Sequence, residues 1–279
     1  MIIHLNMRSY GGRSQHRNRA YARVFDTFRA GTADRFGIAG FTEIRSAGRW
    51  AMRNLPRLAR RVQPGLRRTL FIEVGSTAFG SREYVAIAWD PRLTTVEYHG
   101  HVLYDNLVQH WTPFHYPYVD NRAQPTQVVG FPNGRPFLNQ DARGPAFIAG
   151  RFRNRYAIFV FLHNMHNHGN RFGLVDSLGA IVQAIRVQLG GNYQDAEVVI
   201  GGDFNVRPRD PRRNARGGVR LFARVARDGQ GRIINTTARN PYDYWIVSRA
   251  DVTDAAAAVS DATRRPGASD HAVTYLSYN

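Results

Sequence analysis

Short apolar runs rich in Val, Ile, Phe and Tyr recur from one end of the chain to the other, most of them closed by Gly, Asn, Asp or Pro. This pattern constrains the fold more than any other feature. The runs are Ile2–Leu5, Gly37–Phe41, Leu70–Val74, Tyr84–Trp89, Phe147–Phe152, Tyr156–Leu162, Glu197–Ile200, Tyr244–Val247 and Ala272–Leu276. Their length and residue types predict strands. Between them lie amphipathic stretches. Tyr21, Val24, Phe25 and Phe28 fall on one helical face, as do Leu174, Leu178, Ile181, Val182, Ile185 and Leu189. Trp50–Val62 is a weaker helix candidate because Pro56 interrupts it. Several strands are adjacent in sequence, so hairpins and crossovers are both expected, and two sheets with outer helices satisfy such a mixture. Val102 to Arg143 has many aromatics, prolines and asparagines without a clear period and reads as a long surface excursion.

At 279 residues, with no linker or internal repeat, residues 1–279 are expected to form a single domain with a substantial core. No apolar run approaches the ~20 residues of a membrane helix, and the N-terminus begins as a strand without a signal-peptide pattern, so a soluble protein is expected. The chain has no cysteine, which excludes disulfides, thiolate metal sites and a cysteine nucleophile. Its formal net charge is +17, and all 38 basic residues are arginine. A GC-rich genome also favours arginine over lysine, but it does not create the net charge. Arginine forks match phosphate oxygens and stack on bases, so anionic partners are expected, nucleic acid above all.

Candidate chemistry lies at the ends of the apolar runs. Glu197–Ile200 leads into Gly201-Gly202-Asp203-Phe204-Asn205, where the two glycines are expected to turn the chain and let Asp203 and Asn205 project from a rim. A carboxylate there can bind metal or activate water, and a neighbouring amide can hold a phosphate oxygen. Ser269-Asp270-His271 sets a hard oxygen ligand beside a side chain that titrates near neutrality; alone, it fits a surface turn better. Glu43 ends the second run, Asn6 lies within the first strand, and Asp243 stands between Tyr242 and Tyr244. A buried carboxylate in that last position needs a partner, such as a histidine to orient. His163, His166 and His168 follow Tyr156–Leu162, without the usual spacing of a transition-metal site.

Read in order, these positions resemble the endonuclease/exonuclease/phosphatase superfamily, deoxyribonuclease-I-like proteins that include the nuclease subunit of cytolethal distending toxin. The motifs are Asn6 in the first strand, Glu43 after the second, His163 after a central strand, Gly-Asp-x-Asn at Asp203 and Asn205, Tyr-Asp-Tyr at Asp243, and Ser-Asp-His ending at His271. They span nearly the whole chain. Thr42 stands where many members have Gln, and His166 competes with His163 for one role.

The resemblance implies an α+β four-layer αββα sandwich of two mainly antiparallel sheets with outer helices. It implies that Glu43 is the principal Mg²⁺ ligand, assisted by Asn6 and Asp270, with Mn²⁺ or Ca²⁺ in support. Asp203 would orient or deprotonate water and Asn205 would hold the scissile phosphate. His271, oriented by Asp243, and His163, oriented by Glu83, would flank the phosphate, with acid and base roles left open between them. Arg8, Arg45 and Arg143 lie close to these motifs as candidate phosphate contacts.

The activity so implied is metal-dependent phosphodiester hydrolysis, with DNA favoured by the charge. The alternatives are a phosphatase or phospholipase acting on inositol phosphates or sphingomyelin, and a non-catalytic nucleic-acid-binding protein. A monomer is expected, either a repair nuclease or a delivered toxin domain, which would bring an inhibitory or immunity protein as partner. Both a cytoplasmic and a secreted location fit.

Overall fold

The structure is a computed structural model that describes residues 1–11, 17–30, 36–76, 82–105, 110–130, 143–164, 171–208, 219–237, 239–249, 255–258 and 269–277. Strands β1 (Ile2–Tyr10), β2 (Ile38–Ile44), β3 (Arg68–Ser76), β4 (Arg82–Trp89), β7 (Thr126–Val129), β13 (Ala255–Ala258) and β14 (Val273–Leu276) form one sheet, in the order β13-β14-β1-β2-β4-β3-β7. Strands β5 (Thr94–Asp105), β6 (His110–Pro117), β8 (Ala146–Phe152), β9 (Arg155–His163), β10 (Glu197–Asp203), β11 (Phe222–Arg224) and β12 (Asp243–Val247) form the other, ordered β11-β12-β10-β9-β8-β5-β6. Pairing is mainly antiparallel. The exceptions are β1 with β2, β9 with β10, and β3 with β7.

Period-two alternation on each strand sorts the core into three sheets of side chains, and with the helices this gives four layers. Ile3, Leu5 and Met7 of β1 pack outward under α1 (Asn18–Ala30) and α2 (Arg49–Val62). Ile158, Val160 and Leu162 of β9 pack outward under α3 (Arg171–Leu189). Between the sheets lie Ile2, Ile38, Val85, Ile87, Phe159, Phe161, Val199 and Trp245. The architecture is thus the two sheets with outer helices expected from the apolar runs, and the α+β four-layer sandwich that the resemblance implies. Among the described residues, no helix is long and apolar enough to cross a membrane.

The helices follow their apolar spacing. Tyr21, Val24, Phe25 and Phe28 are buried on α1; Ala51, Leu55, Leu58, Ala59 and Val62 are buried on α2. Pro56 does not end α2, because it is itself buried and the amphipathic face carries the helix through it. A proline there removes one intrahelical hydrogen bond without removing the packing that holds the helix.

Two expectations need correction. Val102 to Arg143 is not an irregular excursion throughout: it holds the end of β5 and all of β6 and β7. Pro113 and Pro117 obscured β6, yet β6 is an edge strand, where missing N–H groups are tolerated. Gly201 and Gly202 do not turn the chain; both lie inside β10. Their role is close approach, since a Cβ on Gly201 would stand 2.3 Å from the Trp245 ring and one on Gly202 would stand 2.2 Å from the Leu162 carbonyl oxygen.

Candidate active site

The same alternation that fills the core delivers polar groups to one end of it. On β9, Phe159 and Phe161 face inward, so the next inward position is His163. On β10 the sequence Val199, Gly201, Asp203 does the same, and on β12 Val247 and Trp245 are followed inward by Asp243. Register completes the row: Asp203 pairs with His163 across the parallel β9–β10 ladder and with Asp243 across the antiparallel β10–β12 ladder. From the opposing sheet, Ile2 is followed inward by Asn6 two repeats on, and Val85 is preceded by Glu83.

Asp203 is the centre of this arrangement and is 2% exposed. Its Oδ2 accepts a hydrogen bond from Asn6 Nδ2 at 3.0 Å, and its Oδ1 accepts one from the Asn205 backbone N–H at 3.0 Å. The two bonds fix the carboxylate plane. Two histidines then converge on one of its oxygens: His163 Nε2 lies 3.8 Å and His271 Nε2 3.7 Å from Asp203 Oδ2.

Each ring is held from behind by its own carboxylate. His271 Nδ1 lies 2.8 Å from Asp243 Oδ2, and His163 Nδ1 lies 2.8 Å from Glu83 Oε1. With Nδ1–H donating to the carboxylate, Nε2 is the atom each ring offers to the site. Arg143 Nη1 also stands 2.7 Å from His163 Nδ1, but a protonated Nδ1 cannot accept. What holds Arg143 is Glu83, whose Oε2 is 3.2 Å from Arg143 Nη2.

Charge follows from these contacts. Burial by itself would lower the pKa of His271; the carboxylates of Asp243 and Asp203 outweigh it and raise the value to about 10. His163 is likewise penalised by burial and raised above its ordinary value by Glu83. Glu83 is fully buried, yet its pKa is lowered, because His163 and Arg143 overcome the desolvation penalty. At neutral pH His271 therefore stands as an imidazolium, and Glu83 biases His163 toward the same charged form.

Around this centre is a rim. Glu43 sits in the left-handed region, at φ 59°, where the β2–β4 register shifts between Phe41 and Ile44. Such a bulge re-aims a side chain at the end of a strand. Arg45 Nη2 is 3.9 Å from Glu43 Oε1, and Arg8 Nε is 3.6 Å from Asp270 Oδ1. Asp270 and Arg8 are about half exposed. Ser269 Oγ donates to the Asn6 carbonyl oxygen at 2.7 Å, which ties the Ser-Asp-His segment to β1. Asn6 is in register with Thr42, the neighbour of Glu43.

Asn6 is buried, while Glu43 and Asp270 follow residues linked to it, Thr42 by register and Ser269 by hydrogen bond; oxygen donors of this kind suit a small divalent cation. Asp203, Asp243 and His271 also bring ligand atoms within 4.8 Å of one another. In that second group the Asp243 oxygen nearest His271 already takes the ring N–H, and both Asp203 oxygens take amide donors, so hydrogen bonds account for it.

Asn205 has φ 49°, and its Nδ2 donates to the Asn164 carbonyl oxygen at 2.6 Å. Asn164 returns a bond from Nδ2 to the Phe204 carbonyl oxygen at 2.8 Å. Sequence reasoning missed Asn164, whose only signal is its place directly after His163. It also missed His4, whose signal is its place two residues before Asn6. Arg143 is 10% exposed against Glu83, whereas Arg8 and Arg45 lie on the accessible rim. His166 and His168 lie outside the described residues.

No protein-family model and no curated protein matches the sequence. Solved structures do match. Truncated TDP2 of Caenorhabditis elegans superposes with a TM-score of 0.55 at 14% identity, covering 98% of this chain and 94% of that one. An endonuclease/exonuclease/phosphatase family protein from Leptotrichia buccalis gives 0.57 at 13%, covering 99% of each chain. A mannosyl-6-phosphatase from Bacteroides thetaiotaomicron gives 0.54 at 18%, again covering 99% of each. At such identities the likeness concerns the fold.

Proposed function

We propose that this chain, which has the fold of the endonuclease/exonuclease/phosphatase superfamily, is a divalent-metal-dependent phosphodiesterase whose substrate is DNA. The observation that carries the reading is the convergence of two carboxylate-backed histidines on Asp203 Oδ2, at 3.8 and 3.7 Å. Phosphodiester hydrolysis needs a group to take the proton of the attacking water, cations against the charge that grows on the phosphoryl oxygens, and a proton for the leaving oxygen.

Asp203 is the proton acceptor in this scheme. It is the one carboxylate at the centre that faces both rings through the same oxygen, and its plane is fixed by Asn6 and Asn205. His271 is held protonated by Asp243 and presents Nε2–H to the phosphate, while Glu83 holds the His163 ring and favours its protonated form. One of them can then give its proton to the leaving oxygen. Asn205 positions the phosphate beside Asp203. Glu43 and Asp270, with the amide oxygen of Asn6, would hold the cation. When bound, the metal supplies Lewis-acid stabilisation of phosphoryl charge.

The choice of DNA is supported by the charge of +17 on 279 residues, all of whose basic side chains are arginine. It is supported also by Arg8 and Arg45, which stand on the accessible rim of the site. The decisive comparison is between substrates. Incubated with supercoiled plasmid and Mg²⁺, the protein should produce nicked circles, and EDTA should abolish this. Phosphate release from sugar or inositol phosphates without nicking would replace the DNA reading with a phosphatase of the same fold. DNA binding without hydrolysis of either substrate would mark a binding protein.

A further inference from the structure

His4 has no part in the scheme above, although it stands directly behind it. It projects from β1 on the same inward face as Asn6, one repeat deeper, and is 0% exposed. Its Nε2 is 3.0 Å from Thr42 Oγ1, on the residue before Glu43. Its ring lies parallel to Phe161, with centroids 6.4 Å apart and planes 19° from each other. Its Nδ1 faces Asp243 Oδ1 at 3.7 Å. Among the described residues, neither that nitrogen nor that oxygen has a hydrogen-bond partner.

A buried carboxylate oxygen left unpaired is costly, and so is a buried imidazole nitrogen. One tautomer relieves both. With hydrogen on Nδ1, the ring directs N–H at Asp243 Oδ1 while Nε2 accepts from the Thr42 hydroxyl. At 3.7 Å the first contact exceeds a direct hydrogen bond and acts as an attraction between the N–H dipole and the carboxylate charge, strengthened by the low dielectric of the buried site. Asp243 then lies between two imidazoles, with Oδ2 toward His271 and Oδ1 toward His4.

We infer that His4 is a positioning residue: it fixes the plane of the Asp243 carboxylate and thereby the direction in which His271 presents Nε2 to Asp203. A carboxylate held by one oxygen can rotate about its Cβ–Cγ bond and exchange the oxygen offered to the ring. Contact at the second oxygen removes that freedom. Because His4 also holds Thr42, one side chain ties the support of His271 to the strand that carries Glu43. The rate consequence rests on the phosphodiesterase reading; the orientation of His271 does not.

The test uses three substitutions. In His4→Asn the side-chain amide can occupy the place of Nδ1 and reach toward Asp243. In His4→Gln the amide sits where Nε2 was and reaches Thr42 alone. His4→Phe keeps the ring packing and loses both polar ends. With Mg²⁺ and bis(4-nitrophenyl) phosphate, kcat should fall about 10- to 100-fold in the Gln and Phe variants with KM unchanged, and His4→Asn should keep most of it. Independently of activity, the downfield proton resonance of His271 Nδ1–H, identified by its loss in His271→Gln, should keep its position in His4→Asn. In the Gln and Phe variants it should shift or vanish.

An unchanged resonance and unchanged kcat in His4→Phe would overturn the inference. So would a His4→Asn variant as impaired as His4→Gln while the resonance stays in place. If the wild-type protein hydrolyses no phosphate ester, the phosphodiesterase reading fails, and the resonance alone decides the role of His4. If His4→Phe does not fold by circular dichroism, the Asn and Gln pair decides.

Discussion

In the proposed scheme Glu83 acts without meeting the substrate. It is fully buried, and it holds both His163 and Arg143. In Glu83→Gln the carboxylate that raises His163 is gone while burial remains, so the His163 pKa should drop below its ordinary value of 6.5. A ring-proton NMR titration checks this; the accompanying loss of activity should be about 10- to 100-fold. The residues of the candidate site were unevenly legible. Asp203, Asn205, Asp270 and His271 stand where apolar runs end, and strand ends are where polar groups meet solvent or ligand. His4 lies inside a run, where a histidine reads as core, and its partners Thr42 and Asp243 are distant in sequence.

At the scale of elements, the strands that build the site were legible because each is buried on both faces or alternates cleanly, as in β9 and β10. The pairing that aligns His163, Asp203 and Asp243 was not, since register is set by contacts between distant strands. The β5–β6 hairpin was hidden by its prolines and mixed aromatics, and it carries a pH dependence. His99 and His101 lie on one face of β5 against Tyr116 and Phe114, and burial lowers both to about 4. For His101 the neighbouring His99 lowers it further.

Below pH 6.5 the unfolded chain binds these protons and the folded chain does not. Stability is therefore full above 6.5 and is lost as pH falls toward 4. The gap between 6.5 and about 4 corresponds to on the order of 3 kcal/mol for each ring. Thermal melts at pH 7 and 4.5 should show the loss. The His99→Phe/His101→Phe double variant should lose less than the wild-type protein over the same interval.

For the whole molecule, if the partner is DNA as proposed, a net charge of +17 with every basic residue an arginine predicts strongly salt-dependent association with the duplex. Affinity measured by fluorescence anisotropy in EDTA should fall on the order of 10³-fold or more from 50 to 200 mM salt if six or more phosphates are neutralised. The four-layer sandwich brings groups from both sheets to one end of the core, and Asp203 is where they meet. The most direct test of this account is the Mg²⁺-dependent rate of phosphodiester cleavage by Asp203→Ala beside the wild-type protein, each shown to be folded by circular dichroism. The account predicts a loss of roughly 10²- to 10⁴-fold; a folded Asp203→Ala protein that cleaves at the wild-type rate would contradict it.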